Sequence, residues 1–563
     1  MNSNNFFIQF MRLAKMYWCS GHKLKVRGLI IFLAILTVLQ MIMAVLMTQW
    51  SAALFNTLEQ HSMEGLLLQI GLLILLFFAD MALTGTHLIT KRNLQVSWRG
   101  WLTEYVFTRW MDAGRHYLVT PLPGEHDNPD GRIAEDCRVT TESAVILGHS
   151  LLYSILLLVG FTDVLWSRSG VLTIDLGFTQ FSVHGHLVWI AIIYSALASG
   201  FGWLLGRPLT GATNARQSAE ANFRASLLDA QENSQAIALI HAEECERGQF
   251  RNLFLKIQEV WNTQTKAWRN ITMFGTGYAT LSMAFPILIS APRYIMGRIT
   301  LGSLVQSAQA FQHMTSALSW PANNMGGIAE WRASVERILS LLRSLEHVDQ
   351  ELAKTENRIQ LVNSDRPVLA FHQVRIGKYE GTTLAPEISM EISKGEHVQI
   401  TGNAITGAQL FRAIAGIRPW GSGVIELPPG RLFFMPPRPY LPTGTLRYAI
   451  GYPASRRVFT PEQIEEAMRL VGLERLIKLL DRREHWANIL TPEEQQLLGM
   501  VRLLLNQPQW VFLQESFDAL EPADEERMQH LIREQLPDAT LLAIVNSTSG
   551  STFYTRQLAL QKR

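Results

Sequence analysis

TGNAITGAQLFRAIAG, residues 401–416, is the stretch from which the fold of the C-terminal third can be read. Gly402 is followed by four residues, then Gly407, then an apolar run with helical spacing over 409–416. This is the frame of the phosphate-binding turn G-x-x-x-x-G-K-[ST]. There the lysine reaches the β- and γ-phosphates and the hydroxyl holds Mg²⁺. The two positions that would carry that chemistry are Ala408 and Gln409. Gly402 and Gly407 keep backbone N–H groups that can face an anion. The same two glycines equally suit a turn that packs a helix on a strand.

Around this turn the pattern alternates between short apolar strands and amphipathic helices. Strands are expected over 368–374, 388–392 and 397–401 before the turn, and over 510–513 and 540–545 after it. Strand, glycine turn, helix and later buried strands define an α/β domain of the P-loop type, placed at 367–563. The polar stretch 346–366 reads as a linker.

The preceding part has a different solvent. Charged residues make up 17% of the 563-residue chain, against about 25% in soluble domains. The chain is long enough for several domains. Six spans are expected, at 28–50, 65–90, 144–166, 186–205, 271–289 and 301–320, in a membrane domain covering 28–345. The sixth is polar, with Gln306, Gln309, Gln312 and His313, and belongs inside a bundle or beside a water-filled cavity. Lys23, Lys25 and Arg27 precede the first span, none follows it in 51–64, and seven Lys/Arg from Lys91 to Arg138 follow the second. By the positive-inside rule both termini are cytoplasmic. Arg293 and Arg298 are the discord, with Tyr294 beside them as an interface anchor. The long segments 91–143 and 206–270 read as helices continuing beyond the membrane. Residues 1–27 read as an amphipathic surface helix with Phe6, Phe7, Phe10 and Met11 toward lipid.

The net charge of +2 says nothing about nucleic acid, but no basic run suits it, so no nucleic-acid partner is expected. Cys19, Cys137 and Cys245 have neither disulfide nor metal-ligand spacing, and no metal site is expected. Asp80 and Asp163 lie within spans. An intramembrane acid costs about 2.5–3.5 kcal/mol on insertion scales, so such a group faces a cavity or a partner, or sits at a span end as an interfacial residue.

Several longer strings carry a family resemblance: SWRGWLTEYVFTRW (97–110), NPDGRIAED (128–136), ALSW (317–320), IAEWRASVERI (328–338), FRAIAGIRPWGSG (411–423), RPYLPTGTLR (438–447) and QWVFLQES (509–516). With them the chain resembles the SbmA/BacA-like and YddA-type ABC transporters, relatives of the peroxisomal class D transporters. The resemblance implies an exporter-like six-span domain fused to an ATPase domain, a bacterial inner-membrane location, and ATP with Mg²⁺ as cofactor. It also implies a homodimer, or a heterodimer with an intact half-transporter. The catalytic positions depart from the family. The glutamine of the P-Q-R-P loop is Pro437; the signature L-S-G-G-E-Q-Q-R is Leu490 to Leu497 with Thr491, Pro492 and Glu493 at its centre; the Mg²⁺-orienting acid is Gln514. Glu515, the general base of the family, remains, and the switch histidine falls at Asn546 or Ser547. The expectation is a transporter of a peptide-like or small amphipathic solute with little or no ATP hydrolysis. Its energy would come from a proton gradient or from a competent partner. Asp80, Asp163, Gln306, Gln309 and His313 are the pathway candidates. The rival is a membrane scaffold or regulator that has kept the fold.

Overall fold

A computed structural model describes residues 3–19, 21, 23–122, 127–175, 180–354, 358–377, 382, 387–402, 404–454, 459–545 and 553–560. They form two compact units, Met1–Phe107 with Asp127–Leu339, and Thr108–His126 with Ser340–Arg563.

Long uninterrupted apolar runs in the first unit give long helices: α1 (Ser3–Trp18), α2 (Lys23–Glu59), α3 (Met63–Met111), α4 (Cys137–Ser169), α5 (His186–Glu232), α6 (Glu243–Ile295), α7 (Leu301–Leu318) and α8 (Trp320–Ala353). The 49 residues of α3 extend roughly 74 Å at the α-helical rise. That far exceeds a hydrocarbon core of about 30 Å. A short turn at 60–62, with His61 at φ 55°, reverses the chain between α2 and α3. Between α4 and α5 the expected connector is an antiparallel hairpin, β1 (Val171–Asp175) with β2 (Gln180–His184).

Among the described residues, five helical stretches are long and apolar enough to cross a membrane: Leu24–Glu59, Met63–Leu118, Pro129–Ser169, His186–Glu232 and Glu243–Ile295. The stretch expected as a sixth span is the 18-residue helix α7, which is not among them. Its glutamines, serines and histidine suit protein neighbours, and it packs against α2, α4, α5 and α6 with Gln306, Ser307 and Thr315 buried. Its first turn is closed by other side chains. Thr300 accepts from the Ser303 N–H, Asn56 from the Gly302 N–H at 2.9 Å, and Glu59 from the Leu301 N–H at 3.0 Å. These satisfy donors that every helix start leaves free.

One expectation is corrected. Phe10 is buried, and both Phe6 and Phe10 meet Trp331 edge-on, with centroids 5.8 and 4.8 Å apart. The aromatic face of α1 therefore covers α8 rather than lipid, and of the four residues only Phe7 is more than half exposed, at 57%. Arg293 also finds a protein role. Its guanidinium donates to the carbonyls of Ser169 and Arg168 at the end of α4. A cation there satisfies orphan carbonyls and complements the helix dipole.

The second unit is α/β. The stretch expected as a linker holds the last turns of α8 and the strand β3 (Gln360–Asn363). One sheet has the order β3-β7-β4-β5, where β4 is Val368–Ile376, β5 Ile388–Ser393 and β7 Gly421–Leu427. The other comprises β6 (His397–Gly402), β8 (Leu432–Met435), β11 (Trp510–Gln514), β12 (Thr540–Ile544) and β13 (Arg556–Leu560). Between β8 and β11 in sequence, a two-residue pair, β9 (Gly444–Thr445) and β10 (Arg483–Glu484), pins a helical subregion. The larger sheet is parallel throughout, in the order β13-β6-β12-β11-β8. Trp510, Val511, Phe512 and Leu513 are all buried, as expected of a parallel strand covered on both faces.

Candidate functional sites

The phosphate-loop remnant follows β6. Helix α9 (Ala404–Ile414) begins at Ala404, so one residue separates it from Gly402. The helix was expected from 409; instead residues 404–407 already belong to its first turn. Gly407 lies inside α9, where a Cβ would meet Ile544 Cδ1 and Cγ1 at 3.0 Å and Ile400 Cγ2 at 3.5 Å. Its lack of a side chain is what lets α9 sit on β12 and β6. Ala408 is buried at 7% exposure, in the place of the lysine. Gln409, in the place of the hydroxyl, has a buried Oε1 without a hydrogen-bond partner.

The strand ends on the same side are tied together by a signature residue to which the sequence assigned no such role. Gln496, buried in α10 (Pro492–Asn506), donates to the carbonyls of Pro437 at 3.1 Å and Glu515 at 3.2 Å, and accepts from the Ala519 N–H at 3.1 Å. Ser516 Oγ donates to the Met435 carbonyl at 2.9 Å. Pro437 follows β8, and Gln514 ends β11 beside Ile544. Glu515 holds φ 46°, and its own N–H donates to the Ile544 carbonyl at 2.9 Å. Asn546 and Ser547 lie outside the described residues. Among the described residues no cluster of three or more His, Cys, Asp or Glu could hold a metal ion.

The signature segment forms a closed helix start. Thr491 caps α10 by accepting from the Glu494 N–H at 3.2 Å, and Glu494 returns the bond to the Thr491 N–H at 3.1 Å. Pro492 takes the first helical position, and Glu493 and Glu494 occupy the first turn. Glu494 also pairs with Arg475. Proline offers no N–H, and the two acids satisfy the positive end of the helix. Deeper in α10, buried Arg502 donates to the Ala449 carbonyl at 3.2 Å and the Tyr440 carbonyl at 2.8 Å. Burial lowers its pKa to about 10.

The membrane unit holds a cavity of about 740 Å³. Asp80, Gln309 and His313 line it together, whereas Gln306 is buried elsewhere on α7. Asp163 is exposed in a separate, apolar depression with Leu158, Val159, Thr162 and Trp166. Gln309 Nε2 donates to Ser51 Oγ at 3.0 Å, and the His313 ring stacks on Phe161 with centroids 4.4 Å apart. Sequence reading missed Thr84, His87 and Lys91 of α3, and His149 and Tyr153 of α4. The signal was present in the spacing, because residues four, seven and eleven beyond Asp80 share its helical face. The rings of His87 and His149 lie 4.3 Å apart, and the Nε2 of each is buried without a hydrogen-bond partner.

Residues 13–295 match the family described as ABC transporter transmembrane region 2. The chain belongs to the ABC transporters that fuse such a membrane region to a nucleotide-binding-type domain, and it is a multi-pass membrane protein. It is 27% identical over 550 residues to the inner membrane ABC transporter ATP-binding protein YddA of Escherichia coli, covering 96% of this chain and 94% of that protein. An uncharacterised ABC transporter ATP-binding protein of Synechocystis is 30% identical over 84% of this chain and 70% of its own length. The chloroplastic ABC transporter D family member 2 of Arabidopsis thaliana is 25% identical, over 98% of this chain and 86% of that protein. The fold is also that of a bacterial Atm1-family ABC exporter solved with ATP bound, at TM-score 0.70 and 17% identity, covering 95% and 94% of the two chains.

Proposed function

We propose that this chain is a bacterial inner-membrane transporter subunit that moves a peptide-like or small amphipathic solute, works as a homodimer, and does not use its own ATPase domain as the motor. The chain crosses the membrane six times, with α7 as the inner-lining sixth span and both termini cytoplasmic. The observation that carries this reading is the polar cavity within the membrane unit, where Asp80, Gln309 and His313 meet. Ionisable groups inside a membrane bundle mark solute or proton paths. Proton-driven movement then needs no nucleotide.

Mg²⁺ and ATP do not fit the residues present. Helix α9 starting at Ala404 winds residues 404–407 into helix where a phosphate loop is needed, Ala408 supplies no cation, and Gln514 supplies no metal-binding charge. Removal of a single donor from a preorganised site costs about 10²–10³ in rate. Here several coupled groups are replaced at once, and Glu515 has no phosphate to serve. The domain instead holds the two subunits together.

Purified full-length protein in sealed vesicles tests this. Solute uptake is expected to follow an imposed proton gradient, to stop when the gradient is collapsed, and to continue without ATP. Uptake that survives collapse rejects proton coupling. ATP turnover abolished by Glu515→Gln rejects the inactive ATPase.

A further inference from the structure

Four residues of α3 that face the cavity repeat at one-turn intervals: Asp80, Thr84, His87 and Lys91. Eleven residues bring the chain back to the same face and separate the first from the last by roughly 16 Å. Helix α4 runs antiparallel alongside and marks the same two ends. His149 and Tyr153 line the same cavity, and with the His149 ring 4.3 Å from that of His87, the antiparallel course of α4 carries Tyr153, one turn further along, toward the Asp80 end. One end of the cavity is therefore anionic. The other carries a cation and two ring nitrogens, His87 Nε2 and His149 Nε2, both buried and without hydrogen-bond partners. His87 is only 5% exposed. Asp80 and Lys91 form no ion pair with each other or with another described residue.

We propose that the cavity is a bipolar site for an elongated zwitterion, with its ammonium end at Asp80 and Tyr153 and its carboxylate end at Lys91, His87 and His149. This rests on the transport function proposed above and narrows its substrate class. His87 Nε2 and His149 Nε2 are buried and unpartnered, which is destabilising unless something satisfies them, whereas Asp80 is exposed and Lys91 half-buried, open to a charged ligand. A carboxylate satisfies Lys91 and accepts from both imidazole N–H groups at once. A primary ammonium satisfies Asp80 and the Tyr153 hydroxyl. The spacing sets the length. An extended chain covers about 3.3–3.6 Å per residue, so a linear peptide of about five residues with both termini free spans the two ends. A dipeptide reaches only one. A longer peptide must fold or leave one end outside.

The test uses full-length protein in lipid nanodiscs, with pentaalanine as the probe and binding read by intrinsic fluorescence or calorimetry. Free-ended pentaalanine is expected to bind, and acetylating its amine or amidating its carboxylate weakens binding by about tenfold each, the loss of one charge-assisted contact. Dialanine binds more weakly than either capped pentamer. The variants separate the two ends. Asp80→Asn becomes insensitive to acetylation while still sensing amidation, and Lys91→Gln shows the opposite. This crossed pattern arises only if both variants are folded. Equal affinity for free and capped peptides overturns the proposal, as does equal sensitivity of both variants to both caps, or no binding of pentaalanine to the wild type. Gradient-driven uptake of a solute together with any of these results removes the bipolar site and leaves the transport function standing. Crossed end-recognition without uptake does the reverse.

Discussion

Gly407→Ala distinguishes a packing glycine from a phosphate-binding one. In a helix interior, replacing glycine by alanine favours folding by about 1 kcal/mol through lost chain freedom. Against that, the new methyl would lie 3.0 Å from two atoms of Ile544 and 3.5 Å from Ile400 Cγ2. Both isoleucines are almost fully buried, at 3% and 2% exposure, within one hydrophobic core. Overpacking of this kind costs about 1–3 kcal/mol. The balance is a net loss of roughly 0–2 kcal/mol. Ile544→Val removes the nearest methyl. Alone it costs about 0.5–1.5 kcal/mol, but beside Gly407→Ala it removes the Cδ1 contact and leaves the Cγ1 contact, relieving part of the clash. The double variant is then more stable than the sum of the singles by about 1 kcal/mol. Pulse proteolysis of the full-length protein in urea, following fragments of the second unit, measures all four corners of the cycle. Additive behaviour would refute the packing role. So would a Gly407→Ala protein of unchanged stability that has lost binding to an ATP analogue.

Three further outcomes can be checked on the same protein. Gln496→Leu strands the Pro437 and Glu515 carbonyls and the Ala519 N–H; at about 1 kcal/mol or more for each orphaned group, chemical denaturation should show a loss of roughly 2–4 kcal/mol. His397, packed against Phe553, has its pKa lowered chiefly by burial. The unfolded chain then binds the proton more readily, so stability is lost as pH falls below about 6.5 and regained as it rises, with a slope of at most about 1.4 kcal/mol per pH unit; His397→Gln should flatten that part of the stability profile, and an unchanged slope would assign it elsewhere. Asp136 is buried and pairs with Arg337 on α8. Because Arg337 is half exposed, at 50%, Asp136→Ala is expected to cost only about 1–3 kcal/mol, read as earlier proteolysis of the membrane unit.

The parallel sheet was legible because each of its central strands is a short apolar run bounded by turn residues, a pattern that belongs to strands covered on both faces. The long helices were legible from the opposite cue, apolar runs too long for anything but a membrane or a bundle. What the sequence hid depended on contacts distant along the chain. Phe10 looks lipid-facing until Trp331, more than three hundred positions later, is placed against it. The motif frame at Gly402 and Gly407 suggested a loop, because a motif records spacing and not the angle at which helix meets strand. Only the position of Ile544 shows why a glycine stays at 407 after the lysine is gone.

The membrane cavity was half legible for a related reason. Asp80 stood out because a carboxylate in a span is costly by itself. His87 and Lys91 did not, since each is ordinary at the end of a span, and only helical phase joins them to Asp80. Thr84 links the same face and carries no signal of its own. His149 and Tyr153 enter only when α4 is laid antiparallel to α3, so that the partners of one helix meet the charges of the other in order. A site built along one helix face can be found from its first charged member by counting turns. A site shared between two helices requires their register, which single-chain periodicity does not contain. The two charges of α3 were therefore recoverable from the sequence, whereas the histidine pair that makes one end of the cavity able to receive an acid was not.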